Sequence, residues 1–332
     1  MINEQYSLWT KEEYTYPVLG EFSPNIVTYI HDEDEKIRPA ILVVPGGGYC
    51  VVSNTEGEIV AKKFYLKGYN AFVVTYTTNL LMDKPLKLQP LKDVSRAVVF
   101  VRKRAQQFHI HPDKLAICGF SAGGHLCGSL AVHFDAKELV EEGEYAGISN
   151  RPDGVILSYP VISSGEHAHR DSFIALLGKE ATKEELGYMS LEAQVTADTP
   201  PTFLWHTATD KDVPVENSYL FANACKEKGV DFELHIFGNG DHGLSLANEE
   251  WASGNFDGAY TMQQFFETLQ FLVDNNQELP APFNGMGKIS AGTDVKELFI
   301  QGVKKLPGRQ PDKGIAIWPQ LVHNWLAKVL DL

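Results

Sequence analysis

The stretch Leu115-Ala116-Ile117-Cys118-Gly119-Phe120-Ser121-Ala122-Gly123-Gly124-His125-Leu126 decides how this chain is read. Leu115 to Cys118 is a short apolar run of the kind a buried strand needs. From Leu126 the apolar residues recur at helical spacing, with Leu130 one turn further on. Between the two lies Gly-x-Ser-x-Gly. A serine squeezed between glycines at a strand-to-helix turn sits on a strained backbone with no room for side chains at its flanks. Such a turn lifts the hydroxyl clear of the sheet. The free N–H groups of the helix that starts there point at the same spot, where negative charge is stabilised. The motif alone is equally a glycine turn with a serine N-cap. The strand before it and the helix after it favour Ser121 as a nucleophile.

The composition around this turn is that of an ordinary globular protein: 332 residues, 44% hydrophobic and 22% charged. There is no low-complexity tract and no internal repeat, and residues 1–332 are long enough for one large α/β domain, the preferred reading, or two smaller ones. A net charge of −14 leaves no surplus of cations to neutralise phosphates, which argues against nucleic acid and anionic membranes as partners. Cys50, Cys118, Cys127 and Cys225 are widely spaced in apolar settings and form no metal-ligand pattern. They read as reduced thiols packed as small hydrophobes. Residues 1–11 lack a basic region followed by an apolar core, and no run reaches the length of a membrane span. These features together read as cytoplasmic.

Short apolar strands alternate with helical patterns. Ile26 to Ile30 alternates like an edge strand. Ala40 to Val44 is continuous and ends at Pro45 and three glycines. A helix over Glu58 to Leu66 closes at Gly68. Tyr69 to Tyr76 is a strand, and Leu91 to Phe108 a long amphipathic helix. Strands follow at Gly154 to Tyr159 and Thr202 to His206. A helix over Val215 to Lys228 precedes the last strand, Phe232 to Phe237. This order predicts an α/β fold with a mainly parallel central sheet and helices on both faces. In such sheets the ligand site lies off the carboxyl ends of the strands.

A serine hydroxyl needs a base, and the base needs an orienting carboxylate. Of the histidines, His242 follows a strand, in Gly238-Asn239-Gly240-Asp241-His242-Gly243, a loop able to reach over the sheet. The others have blander readings: His109 and His111 in a helix-to-strand connection, His125 and His133 on the helix after Ser121, His167 and His169 in a polar loop. After the preceding strand come Asp210 and Asp212. Asp212 also suits the N-terminus of the helix that Val213-Pro214 begins, so Asp210 is the preferred carboxylate. The tetrahedral intermediate needs N–H donors aimed at its oxyanion. One is Ala122, next to the nucleophile. Another is expected from the loop Pro45-Gly46-Gly47-Gly48-Tyr49, whose glycines let the backbone approach a substrate closely. A phosphate-binding loop is disfavoured, since no Lys-Ser/Thr follows.

At these residues the chain resembles the α/β-hydrolase superfamily. More narrowly it is similar to the bacterial acetyl-esterase and acetylxylan-esterase-like (BD-FAE, hormone-sensitive-lipase-like) branch. The resemblance is carried by Pro45 to Tyr49 with Ser53 and Glu56-Gly57-Glu58, by Gly119 to His125, by Pro200 to Thr207, by Val213 to Ser218, and by Phe232 to Phe237 running on to Asp241-His242-Gly243. It implies the α/β-hydrolase fold, a triad of Ser121, Asp210 and His242, and an oxyanion hole of the Gly47, Gly48 and Ala122 N–H groups. It implies no metal or organic cofactor. Many relatives carry histidine where Pro45 stands; backbone donors should survive that change.

A second departure lies before the last helix, Ile317 to Leu330. Residues 249–313 form an insertion containing two amphipathic segments, Met262 to Val273 and Val295 to Lys305. It begins at the histidine loop and either narrows the substrate site or serves as a surface or homodimer contact. Residues 163–195 are a second candidate cap. The resemblance implies a serine esterase for short acyl groups, acetate above all, on sugars or small alcohols. The runner-up is amide hydrolysis, as a peptidase or arylformamidase. A non-catalytic binding protein on the same fold is the alternative of another class.

Overall fold

The computed structural model describes residues 1–254, 257–281, 283–286, 289–303 and 309–332. Eight strands form one sheet: β1 Gln5–Ser7, β2 Asn25–Tyr29, β3 Arg38–Val44, β4 Asn70–Thr75, β5 Ile110–Phe120, β6 Gly154–Ser158, β7 Thr202–Thr207 and β8 Phe232–Phe237. Their spatial order is β1-β2-β4-β3-β5-β6-β7-β8. The pairs β1/β2 and β2/β4 are antiparallel; every other pair is parallel. The helices are α1 Glu58–Tyr65, α2 Gln89–Lys103, α3 Ser121–His133, α4 Arg170–Leu177, α5 Lys183–Tyr188, α6 Glu216–Lys228, α7 Glu249–Ser253, α8 Gln263–Asp274, α9 Val295–Val303 and α10 Trp318–Val329.

The central strands carry continuous apolar runs, Ala40 to Val44, Ala71 to Val74, Leu115 to Cys118 and Val155 to Leu157, because both faces of the sheet are covered there. Leu42, Val44, Ile117 and Leu157 face one way and pack with α2, α3 and α6. Ile41, Val43, Cys118 and Ile156 face the other way, with Phe64 of α1 and Trp318 and Trp325 of α10. Phe265, Phe266, Leu269, Val273 and Val295, within residues 249–313, form a separate apolar cluster that touches Val51 and Leu80. No helix among the described residues is long and apolar enough to cross a membrane.

Two expectations are corrected. The strand near Ile26 is not at the edge: β1 pairs outside it, and all five β2 residues are buried. The helix expected to reach Phe108 ends at Lys103. Phe108 is buried all the same, from a turn that folds back on the core, and this carried the apolar pattern past the helix. The segment Val295 to Lys305 is helical through Val303; Lys304 and Lys305 lie outside the described residues.

Candidate active site

β5 runs into α3 with no intervening loop, so the turn is made by Ser121 alone, at φ +52°. That left-handed conformation is strained for a serine and is held by its surroundings. The flanking positions admit no side chain. A Cβ on Gly119 would fall against the Gly123 carbonyl, and one on Gly123 against the carbonyl oxygens of Val44 and Pro45.

Three loops off the strand ends converge on this turn. From the loop after β8, His242 Nε2 lies 2.7 Å from Ser121 Oγ, and its Nδ1 lies 2.7 Å from Asp210 Oδ2. The loop after β7 fixes Asp210: Oδ1 accepts the N–H groups of Asp212 at 3.0 Å and Val213 at 2.9 Å. His206 Nε2 sits 3.3 Å from Asp210 Oδ2. Burial works against the Asp210 charge, but hydrogen bonds from His206 and His242, the His242 charge and the Val213 N–H outweigh it and hold the carboxyl well below the usual range. Burial likewise works against a charged His242. The hydrogen bond and charge of Asp210, aided by Glu56 and Asp212, win and raise its pKa. Asp212, the other carboxylate weighed from sequence, is exposed and makes no hydrogen bond to His242.

The glycine loop after β3 turns beside the serine. Gly47 and Gly48 take φ +123° and +62°, and both line the cleft above Ser121. The Ala122 N–H belongs to the first turn of α3, where no intrahelical carbonyl is available. The loop is pinned by Tyr76 Oη, which donates to Pro45 O at 2.7 Å, and by Ser53 N–H, which donates to Gly46 O at 2.9 Å. Tyr49 Oη lies 2.7 Å from His125 Nδ1, and His125 Nε2 lies 2.9 Å from Met189 O. Burial pulls the His125 pKa down to about 4. A neutral His125 that donates to Met189 and accepts from Tyr49 satisfies both contacts.

The cleft above Ser121 holds about 710 Å³. Its walls include residues that sequence reasoning did not single out as site residues. Glu56 is in its floor, and His169 comes from the 163–195 segment. Trp251, Arg309 and Gln310 come from residues 249–313. The Arg309 guanidinium lies 5.0 Å over the Trp251 ring. Glu56 lies in a stretch that carries the family resemblance, but no sequence signal marks a role in the cleft for any of these residues, because they reach it by tertiary packing between distant loops. A hydroxyl on an imidazole on a buried carboxylate, beside a glycine loop and the first turn of a helix, is equipped for acyl transfer.

Comparison with known proteins agrees with that chemistry. The BD-FAE family model matches residues 27–225. The chain is 54% identical over 258 residues to the endo-1,4-beta-xylanase B of Butyrivibrio fibrisolvens, covering 78% of this chain and 40% of that protein. It is 34% identical over 213 residues to the acetylxylan esterase of Xylanibacter ruminicola, covering 62% of this chain and 41% of that protein. The chain thus spans about two fifths of the length of these two relatives. Among solved structures, the acetyl ester-xyloside bifunctional hydrolase of Caldicellulosiruptor lactoaceticus is 38% identical with a TM-score of 0.69, covering 81% of this chain and 97% of that one.

Proposed function

Since the chain belongs to the BD-FAE family, we propose that it is a serine carboxylic ester hydrolase that removes acetyl groups from sugars. One observation carries this reading: Ser121 Oγ, both nitrogens of His242 and Asp210 Oδ2 form a single relay with two contacts of 2.7 Å. Ser121 attacks the ester carbonyl while His242 Nε2 takes its proton. Asp210 holds the ring with Nε2 facing the serine and stabilises the imidazolium. The Gly47, Gly48 and Ala122 N–H groups meet the oxyanion. His242 then returns the proton to the leaving sugar oxygen, and a water activated by the same imidazole releases acetate. Glycosidic bonds are normally cleaved by paired carboxyl groups; the hydroxyl at the base of this cleft favours an acyl carbon. Similarity to the acetylxylan esterase and to the acetyl ester-xyloside bifunctional hydrolase supports acetylated xylosides as the substrate class.

Ser121→Ala is expected to lower hydrolysis of 4-nitrophenyl acetate and of acetylated xylo-oligosaccharides by about 10³-fold or more, with thermal stability kept. An organophosphonate should label the wild type at Ser121. Unchanged turnover in the variant overturns the reading. Faster cleavage of formylanilides or peptide amides than of acetyl esters would turn it toward amide hydrolysis.

A further inference from the structure

The floor of the cleft holds an acid that this relay does not use. Glu56 is 3% exposed. Its Oε2 accepts the Gly46 N–H at 2.8 Å and its Oε1 the Tyr159 O–H at 2.6 Å. The Tyr159 oxygen in turn accepts the Ser245 N–H at 2.9 Å, so its own proton has Glu56 as acceptor. Two donors on two oxygens suit a carboxylate. A neutral carboxyl would bring one proton more than the cluster can accept. Burial nevertheless pushes the Glu56 pKa up, so keeping this charge has a cost that the surrounding contacts must offset.

Those contacts reach all three parts of the acyl-transfer site. A Cβ added to Gly46 would lie 2.6 Å from Phe120 O, 2.9 Å from Ser121 Cβ and 3.0 Å from Glu56 Oε2. The carboxylate, the glycine loop and the serine turn therefore crowd one point. Tyr159 is itself at φ +37° and stands edge-on to the His242 ring, with centroids 5.0 Å apart. Ser245, three residues after His242, donates from Oγ to Thr55 O at 2.6 Å, beside Glu56 in the chain. Through these partners Glu56 joins the loop after β3, the end of β6 and the loop after β8.

We propose that Glu56 is a positioning residue: through Gly46 it fixes the peptide leading into the Gly47 and Gly48 donors, through Tyr159 it holds the His242 ring, and its charge favours the imidazolium formed during attack. This rests on the serine-esterase reading above. The charged and titratable groups that bear on His242 are Asp210, Asp212, Glu56 and His169. Those that bear on Glu56 from the sheet side are Tyr76, Cys118 and Tyr159. From the cleft side they are His242 and Arg309. Replacing Glu56 by glutamine removes one negative charge and leaves Asp210 and Asp212 in place.

The test is the pH profile of kcat/KM for 4-nitrophenyl acetate, with competent sites counted by phosphonate labelling of Ser121. Glu56→Gln offers one acceptor to two donors. It should lower kcat per labelled site by about tenfold or more, change KM by no more than about twofold, and move the acid limb to lower pH by about half a unit. Tyr159→Phe keeps the charge; it should lower kcat by less and leave the limb in place. Wild-type kcat in Glu56→Gln overturns the proposal. So does a lowered kcat with an unmoved limb, which would make the residue purely structural. If Glu56→Gln does not fold, Tyr159→Phe decides, and wild-type kcat per labelled site overturns the proposal. Activity surviving in Ser121→Ala would instead overturn the esterase reading itself.

Discussion

At the scale of single residues, the triad geometry turns on which carboxylate oxygen does what. Asp210 Oδ1 is occupied by two backbone N–H groups, which resist rotation of the side chain, and Oδ2 is left to His242 at 2.7 Å with His206 at 3.3 Å. Asp210→Asn keeps the shape but presents an amide donor or a misplaced oxygen to Nδ1, favouring the wrong tautomer. It should lower kcat by about 10³–10⁴-fold. Asp212→Asn removes an exposed charge that only acts on His242 through space, and should cost less than about tenfold. The two variants assayed side by side check the choice of carboxylate; equal losses overturn it. The sign of the pH dependence follows from the same contacts. His242 must be neutral to accept the serine proton, and its pKa is raised. kcat/KM should therefore climb as pH rises through that raised value and level off above it. The structure brings together Ser121, Asp210 and His242, which the sequence puts forward because each lies in a turn or loop after an apolar run. The sequence does not put Glu56 forward in this way. The stretch Glu56-Gly57-Glu58 stands out, yet nothing local says that a tyrosine more than a hundred residues later will donate to it.

Individual elements were legible where burial writes a simple pattern. β3, β5 and β7 show apolar runs, Ala40 to Val44, Leu115 to Cys118 and Phe203 to Trp205, because helices cover both faces of the sheet there, and α6 ends at Gly229 in the left-handed conformation that its C-cap requires. Elements that bury little escaped notice. β1 has three residues, none of them fully buried, so it left β2 looking like an edge. α5 buries nothing and is held by a Thr182–Glu185 capping box instead. The β5–α3 junction shows the opposite extreme, where sequence and geometry leave no latitude. The missing Cβ at Gly123 is the space that the carbonyls of Val44 and Pro45 occupy. Gly123→Ala must push α3 away from β3 and with it the Ser121 hydroxyl from Gly47 and Gly48, the proposed oxyanion donors. The variant should lose about 10²-fold or more in kcat/KM and melt at a lower temperature than wild type. Activity against 4-nitrophenyl acetate within twofold of wild type would show that the close approach is not needed.

At the scale of the whole molecule, the question is what residues 249–313 add to a sheet that already carries the relay. They are tied to the sheet domain by side chains: Gln264 bonds the backbone of Thr78, Thr261 Oγ1 donates to Val52 O at 3.0 Å, and Tyr260 Oη meets Tyr29 Oη at 2.8 Å. Anchored there, the segment brings Trp251 and Arg309 to the cleft wall. Trp251 is 4% exposed, and its Nε1–H has no partner among the described residues. A buried donor left unpaired costs about 1–3 kcal/mol. Arg309 is exposed, and it joins Asp212 and Asp241 in giving the cleft polar groups of both signs, a lining suited to a polyhydroxylated alcohol. The late segment is then expected to act on the alcohol side of the ester and not on the acyl carbon. Arg309→Gln and Trp251→Phe keep most of the packing. They should raise KM for acetylated xylo-oligosaccharides by about three- to tenfold, well beyond any change for 4-nitrophenyl acetate, with kcat little altered on either substrate. Equal rises on both substrates would place the two residues in general support of the cleft, and a fall in kcat alone would move them from sugar binding to the relay.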